Sequence, residues 1–166
     1  MTVEEKRYCK FGWLLVLLFF FNCLHVPSIA CTDFQVKAKD GTVVIGRSME
    51  WADPAMKSGL RAHKAGEKNV SMIDEGKEGL SWSNRHSYIA VNAYGLDVTL
   101  DGMNTAGLSI GLLWLPGTEY ETISKEEESK AIDILDVGAW MLGSFSSVDE
   151  ALKGLSDVKV TGRNLE

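Results

Sequence analysis

The sequence predicts an α+β layered domain, and three observations carry that expectation. Residues 31 to 115 read as short β-rich runs broken by Gly-containing turns. Residues 131 to 155 carry apolar positions at helical spacing. No repeat or low-complexity tract interrupts either part. The 166 residues suit one domain of ordinary size. An apolar content of 45% with 24% charged residues belongs to a folded chain, not a disordered one. The formal net charge is −6 and no stretch concentrates Lys and Arg, which argues against nucleic-acid binding and its basic footprint.

The first 30 residues stand outside that domain. Lys6, Arg7 and Lys10 precede the apolar run "FGWLLVLLFFF", and "NCLHVPSIA" ends in the helix breaker Pro27 and the small residues Ser28 and Ala30. A basic segment, an apolar core and small residues at −3 and −1 predict an export signal cut after Ala30. The run is short for a spanning helix, which needs about 20 residues; an uncleaved membrane anchor is the alternative. Localisation is therefore expected to be periplasmic or secreted. Cleavage removes Cys9 and Cys23, so Cys31 becomes the single thiol of residues 31 to 166. It has no internal partner for a disulfide.

From Cys31 onward the elements follow in order. "CTDFQVKA" and "TVVIGRSMEW" are β-rich runs joined through Asp40-Gly41, a strong hairpin signal because Gly accepts a positive φ. Residues 52 to 84 mix Gly, charge and short apolar pieces, and predict one or two short edge strands. "SYIAVNAYG" is a strand. "DVTLDGMNTAGLSIGLLWLPG" predicts two strands around a turn at Asp101 to Gly107. After the charged "TEYETISKEEESK", Ile132, Leu135, Ala139 and Leu142 mark one face of a helix. Ser147 and Glu150 form a capping-box pattern at the head of a second helix. "VKV" at 158 to 160 starts another strand.

Cys31 offers three readings. Cleavage before it would place an α-amine, with an intrinsic pKa of about 8, on the residue that carries the thiol, whose own is about 8.5. The amine can then take the thiol proton and later protonate a leaving amine, so no His is required. Arg47 would favour the thiolate and Glu50 would hold the ammonium, although a surface ion pair is the plainer use of an Arg and a Glu at this spacing. "SIAC" also resembles a bacterial lipoprotein cleavage site with a lipidated cysteine. The third reading is an inert buried thiol.

Four segments in order, "CTDF" at 31 to 34, "DGTVVIGRSMEW" at 40 to 51, "DGMNTAGLSIGLLWLPG" at 101 to 117 and "WMLGSFSSVDEAL" at 140 to 152, resemble the choloylglycine hydrolase/penicillin V acylase family. These are N-terminal nucleophile hydrolases of linear amides. The resemblance implies the first half of an αββα sandwich over residues 31 to 166, with Cys31 as nucleophile and Arg47 beside it. Glu50 stands where many members carry Asp, which keeps the charge and moves the carboxylate by one methylene. Trp114 stands where bile-salt-cleaving members tend to carry an oxyanion-serving Asn. Trp51 and Trp114 together resemble the Gram-negative acylases that act on penicillin V and often on acyl-homoserine lactones. They are assigned to the substrate with Asn104, and core packing is the alternative for both tryptophans.

The resemblance implies a small-molecule amide as partner and no metal or organic cofactor. Membrane contact would be confined to the signal segment or a lipid on Cys31, and the family's frequent tetramers make a homo-oligomer an expectation. Family domains are longer than this chain, and a second-half Asn and Arg have no counterpart here. The expectation is a fragment, a truncated product or a protein that needs a partner, with an apolar sheet face left uncovered. A non-catalytic, lipid-anchored or inactive chain is the competing class.

Overall fold

The computed structural model describes residues 31–49, 56–115 and 117–162, all within one compact unit. The signal segment, Glu50 and Trp51 lie outside the described residues. Among the described residues, eight strands run through Gly111, and a short 3-10 helix (Lys125–Lys130), two α-helices and two further strands follow.

β1 (Thr32–Lys37) and β2 (Val43–Ser48) form the expected antiparallel hairpin. Its turn closes because Gly41 adopts φ +89° while Asp40 Oδ1 accepts from the Thr42 N–H at 2.9 Å. β3 (Gly59–His63), β6 (Tyr88–Asn92), β7 (Asp101–Asn104) and β8 (Ser109–Gly111) make an antiparallel sheet in the order β3-β6-β7-β8. β4 (Lys68–Asp74) and β5 (Lys77–Ser83) are a second hairpin turning on Glu75-Gly76. β9 (Ala131–Asp133) leads into α1 (Ile134–Ser144). α2 (Val148–Leu155) then returns the chain to β10 (Lys159–Thr161), which pairs parallel with β9.

Four expectations are corrected. Residues 52 to 84 hold three strands, not one or two. β4 turns Asn69, Ser71 and Ile73 inward and leaves Val70 partly exposed, so polar residues at inward positions mask the apolar alternation. The turn expected at Asp101 to Gly107 is shorter, because strand geometry runs through Asn104. Gly102 is there for packing: a Cβ would lie 2.5 Å from the Ile89 carbonyl and 2.7 Å from Leu142 Cδ1. Ile132 belongs to β9 and not to the helix, since Asp133 caps α1 by accepting from the Leu135 N–H at 3.1 Å. The box on α2 is also offset. Ser147 Oγ accepts from the Glu150 N–H, but the Glu150 carboxylate takes the N–H and hydroxyl of Ser146.

One face of the four-stranded sheet packs on α1. Tyr88, Ala90 and Leu108 meet Leu142 there, and a second cluster gathers Ile132, Val137 and Trp140 beside Leu80 and Trp82. Fully burying a Leu or Ile contributes about 1.5–3 kcal/mol. Asn104 connects the layers. Its amide donates to the carbonyls of Leu142 and Phe145 at 2.9 and 2.7 Å, and its Oδ1 accepts from the Ala106 and Leu108 N–H groups at 3.0 Å. The opposite face bears Leu60, Ile89 and Met103, which are 75%, 55% and 51% exposed and alternate with the buried set. The expected uncovered apolar face is present.

Asn104→Ala is expected to lower stability by about 3 kcal/mol, since it leaves several buried main-chain groups unpaired; urea denaturation measures this. Burial pushes the Tyr88 hydroxyl up to about 12 from 10.0, with the Asp97 and Glu67 charges adding to the rise and the Thr99 hydrogen bond opposing it. The unfolded chain therefore releases this proton first as pH rises. Tyr88 supports the fold fully below about pH 10 and progressively less up to about pH 12. Urea midpoints taken across that window should fall in the wild type and fall less in Tyr88→Phe.

Candidate active site

Strand alternation determines what surrounds Cys31. Cys31 immediately precedes β1, and the register pairs Thr32 with Ser48 and Asp33 with Arg47. Continuing the alternation puts Cys31, Asp33 and Arg47 on one face of the hairpin. The Thr32 N–H also donates to Ser48 Oγ at 3.3 Å, which fastens the residue after the cysteine across the pair. Cys31 is a free, half-buried thiol.

Arg47 reaches from this hairpin to the four-stranded sheet. Its side chain is only 9% exposed. Nη1 donates to the Leu100 carbonyl and Nη2 to the Leu112 carbonyl, both at 2.9 Å. These carbonyls lie one residue before β7 and one after β8, so the guanidinium bridges the two strand ends. Asp101 Oδ2 stands 3.7 Å from Nη1. Nε is buried and has no hydrogen-bond partner. A buried donor left unmade costs about 1–3 kcal/mol, so this N–H is the free valence of an otherwise committed group.

Two carboxylates face the arginine, and sequence reasoning singled out neither. Asp33 is its cross-strand partner, and a Cβ on Gly111 would lie 3.3 Å from Asp33 Oδ2 and 3.8 Å from Arg47 Nη1. The Gly111 backbone thus lies close to both charges, and a side chain there would press on Asp33 Oδ2. Burial raises the Asp101 carboxyl above its ordinary range; Arg47 opposes the rise and Asp33 adds to it. The signals were available: Asp33 shares the parity of Cys31 and Arg47, and Asp101 opens "DGMN". The Leu100 and Leu112 acceptors are main-chain atoms that no residue type announces.

The other singled-out residues are dispersed. Trp114 is 60% exposed, two residues beyond the carbonyl that holds Arg47, between Leu113 and Leu115 at 45% and 70%. Asn104 is buried at the far end of β7, and both its amide hydrogens and both carbonyl lone pairs serve the main chain. It has no donor left for a substrate. A groove of about 500 Å³ lies along β4–β5 and is lined by Asn69, Val70 and Trp82, not by Cys31, Arg47 or Trp114. Among the described residues, no group of three or more His, Cys, Asp or Glu is placed to hold a metal ion.

The geometry defines a thiol at a strand end on the same hairpin face as an arginine held by main-chain acceptors. Residues 31–166 match the model of the linear amide C–N hydrolases, choloylglycine hydrolase family. The chain belongs to that family. It is 28% identical over 146 residues to a penicillin V acylase of Pectobacterium atrosepticum, covering 80% of this chain and 36% of that protein. The penicillin V acylase structure from Agrobacterium tumefaciens shares the fold with a TM-score of 0.65 at 23% identity, over 78% of this chain and 39% of that one. A variant of conjugated bile acid hydrolase from Clostridium perfringens gives 0.60 at 19% identity, over 81% and 41%. The chain thus spans about two fifths of the length of the relatives it matches.

Arg47→Gln is expected to loosen the hairpin. Amide exchange in β1 and β2 should accelerate about tenfold or more, while the β6 and β7 amides stay protected; hydrogen exchange read by mass spectrometry checks this.

Proposed function

We propose that residues 1–30 are removed on export and that Cys31, as the first residue, hydrolyses linear amides. What supports the reading is the hairpin register, which pairs Asp33 with Arg47 and, continued by one alternation, puts Cys31 on the Arg47 face, together with the buried Arg47 Nε that has no acceptor. Support also comes from two bile acid hydrolase structures, which are variants changed at a cysteine and at an arginine. The interval between those positions, 16 residues, equals that from Cys31 to Arg47.

The chemistry follows from the residue itself. The Cys31 α-amine takes the thiol proton, and the thiolate attacks the amide carbonyl. The amine then protonates the leaving nitrogen, which leaves a thioester on Cys31. It next deprotonates a water that releases the acid and restores the thiol. Arg47 stabilises the thiolate, and Glu50, three residues further along the chain, holds the ammonium. Trp51 and Trp114 offer apolar surface to the acyl group, whereas the amide of Asn104 is committed to the fold. The substrate class is a small amphipathic amide: penicillin V, a conjugated bile acid or an acyl-homoserine lactone. The domain is the first part of an αββα sandwich acting outside the cytoplasm.

The stretch "SIAC" supports a second reading, in which Cys31 carries a lipid and the protein is a membrane-anchored non-enzyme. Intact mass after expression with the leader separates the two, because a free N-terminal Cys31 and a diacylglyceryl adduct differ by the mass of the lipid. With a free Cys31, penicillin V hydrolysis followed by amine release should fall about a thousandfold or more in Cys31→Ser. Unchanged turnover in that variant would remove Cys31 from the chemistry.

A further inference from the structure

We propose that Asp101 is the positioning residue for Arg47, fixing the guanidinium so that its unpartnered Nε–H serves the Cys31 side of the site. This rests on the reading of Cys31 as nucleophile and extends it to a residue that does not touch the substrate.

Three observations support the assignment. First, Asp101 and Leu100 are consecutive and grip the same nitrogen: the Leu100 carbonyl accepts from Nη1 at 2.9 Å and Asp101 Oδ2 stands 3.7 Å away. With Nη2 on Leu112, the end of the side chain is held from both strands while Nε is left over. Second, the two carbonyls are neutral acceptors, and Asp101 is the charge on the sheet side that answers a guanidinium only 9% exposed. A buried cation without a counter-charge is costly, and Asp101 supplies one across the hairpin–sheet contact. Third, Asp33 faces Arg47 from the hairpin itself, so it moves with Arg47 and cannot fix it relative to the sheet. Arg47 and Asp33 are also the charged groups that act on Asp101.

The sign of one measurement separates positioning from mere charge. If Asp101 acted only through space, removing its negative charge would make the surroundings of Cys31 more positive and lower the pH at which the thiol ionises. If Asp101 positions Arg47, its removal frees the guanidinium and raises that pH, as removal of Arg47 does.

The experiment follows iodoacetamide labelling of Cys31 against pH in the processed chain, expressed with its leader and shown by intact mass to begin at Cys31, with the labelled peptide identified by mass spectrometry. The expected result for Asp101→Asn is an upward move of about one unit in the labelling midpoint, a tenfold loss of thiolate near neutrality. Arg47→Gln should move it the same way, Asp101→Glu should restore it in part, and Asp33→Asn should not reproduce the rise. A lowered or unmoved midpoint in Asp101→Asn, with Arg47→Gln raised, overturns the assignment and leaves the nucleophile reading standing. An unmoved midpoint in Arg47→Gln removes Arg47 from stabilising the thiolate and overturns the assignment with it, whereas the nucleophile reading itself falls only with unchanged turnover in Cys31→Ser. Should Asp101→Asn fail to fold, the wild type supplies the measurement by NMR. The Arg47 Nε–H resonance must shift in step with titration of the Asp101 carboxyl, and an unmoved resonance overturns the proposal.

Discussion

The grip on Arg47 is the contact on which the candidate site depends. A hairpin of two six-residue strands offers little burial by itself: every residue of β1 is exposed, and Phe34, Val36 and Val44 are more than half exposed. Two-stranded units are marginal in water unless something else holds them. A guanidinium with two main-chain acceptors and one carboxylate fastens this hairpin to the ends of β7 and β8, and so determines where the chain presents its first described residue.

The framework that receives Arg47 is built differently. Its strands are held by close approach and by polar groups satisfied inside the layer. Ser71 is fully buried between β4 and the head of α1; its hydroxyl donates to Asp136 and accepts from the Asp133 N–H. Gly102 and Gly138 let α1 settle on β7 and on the Thr99 carbonyl at distances no Cβ would permit. Stiffness on the sheet side and slenderness on the hairpin side suit a site in which one partner is fixed and the other is placed against it.

Legibility in the sequence follows the same division. The hairpin, β6, the second helix and the closing β10 run were readable because turn glycines, alternation and a capping pattern are local signals. β4 was not, because Ser71 and Asn69 sit where an apolar residue is expected. The break between β9 and α1 was hidden because Ile132 fits the spacing of the helix that starts two residues later. In the site, Cys31 and Arg47 were legible through their chemistry and order. Asp33 and Asp101 were not, since their importance comes from strand register and from tertiary approach. Asn104 shows the opposite case: a polar residue in a functional-looking motif whose amide is consumed by the fold.

That amide carries a consequence for how the gene can drift. Two donors and two acceptors on a short planar group fill this position, and the standard genetic code allows no single-base change from asparagine to a residue that matches it. Aspartate lacks the donors, while serine and threonine lack the second donor and the reach. Histidine, tyrosine, lysine and isoleucine have the wrong shape for a site only 5% exposed. Leu100 and Leu112 contribute main-chain oxygens that every amino acid has, so their codons can wander while the grip on Arg47 persists. Mutational tolerance in this domain is therefore distributed by which atom does the holding, and it is narrow at Asn104, whose side chain serves the fold.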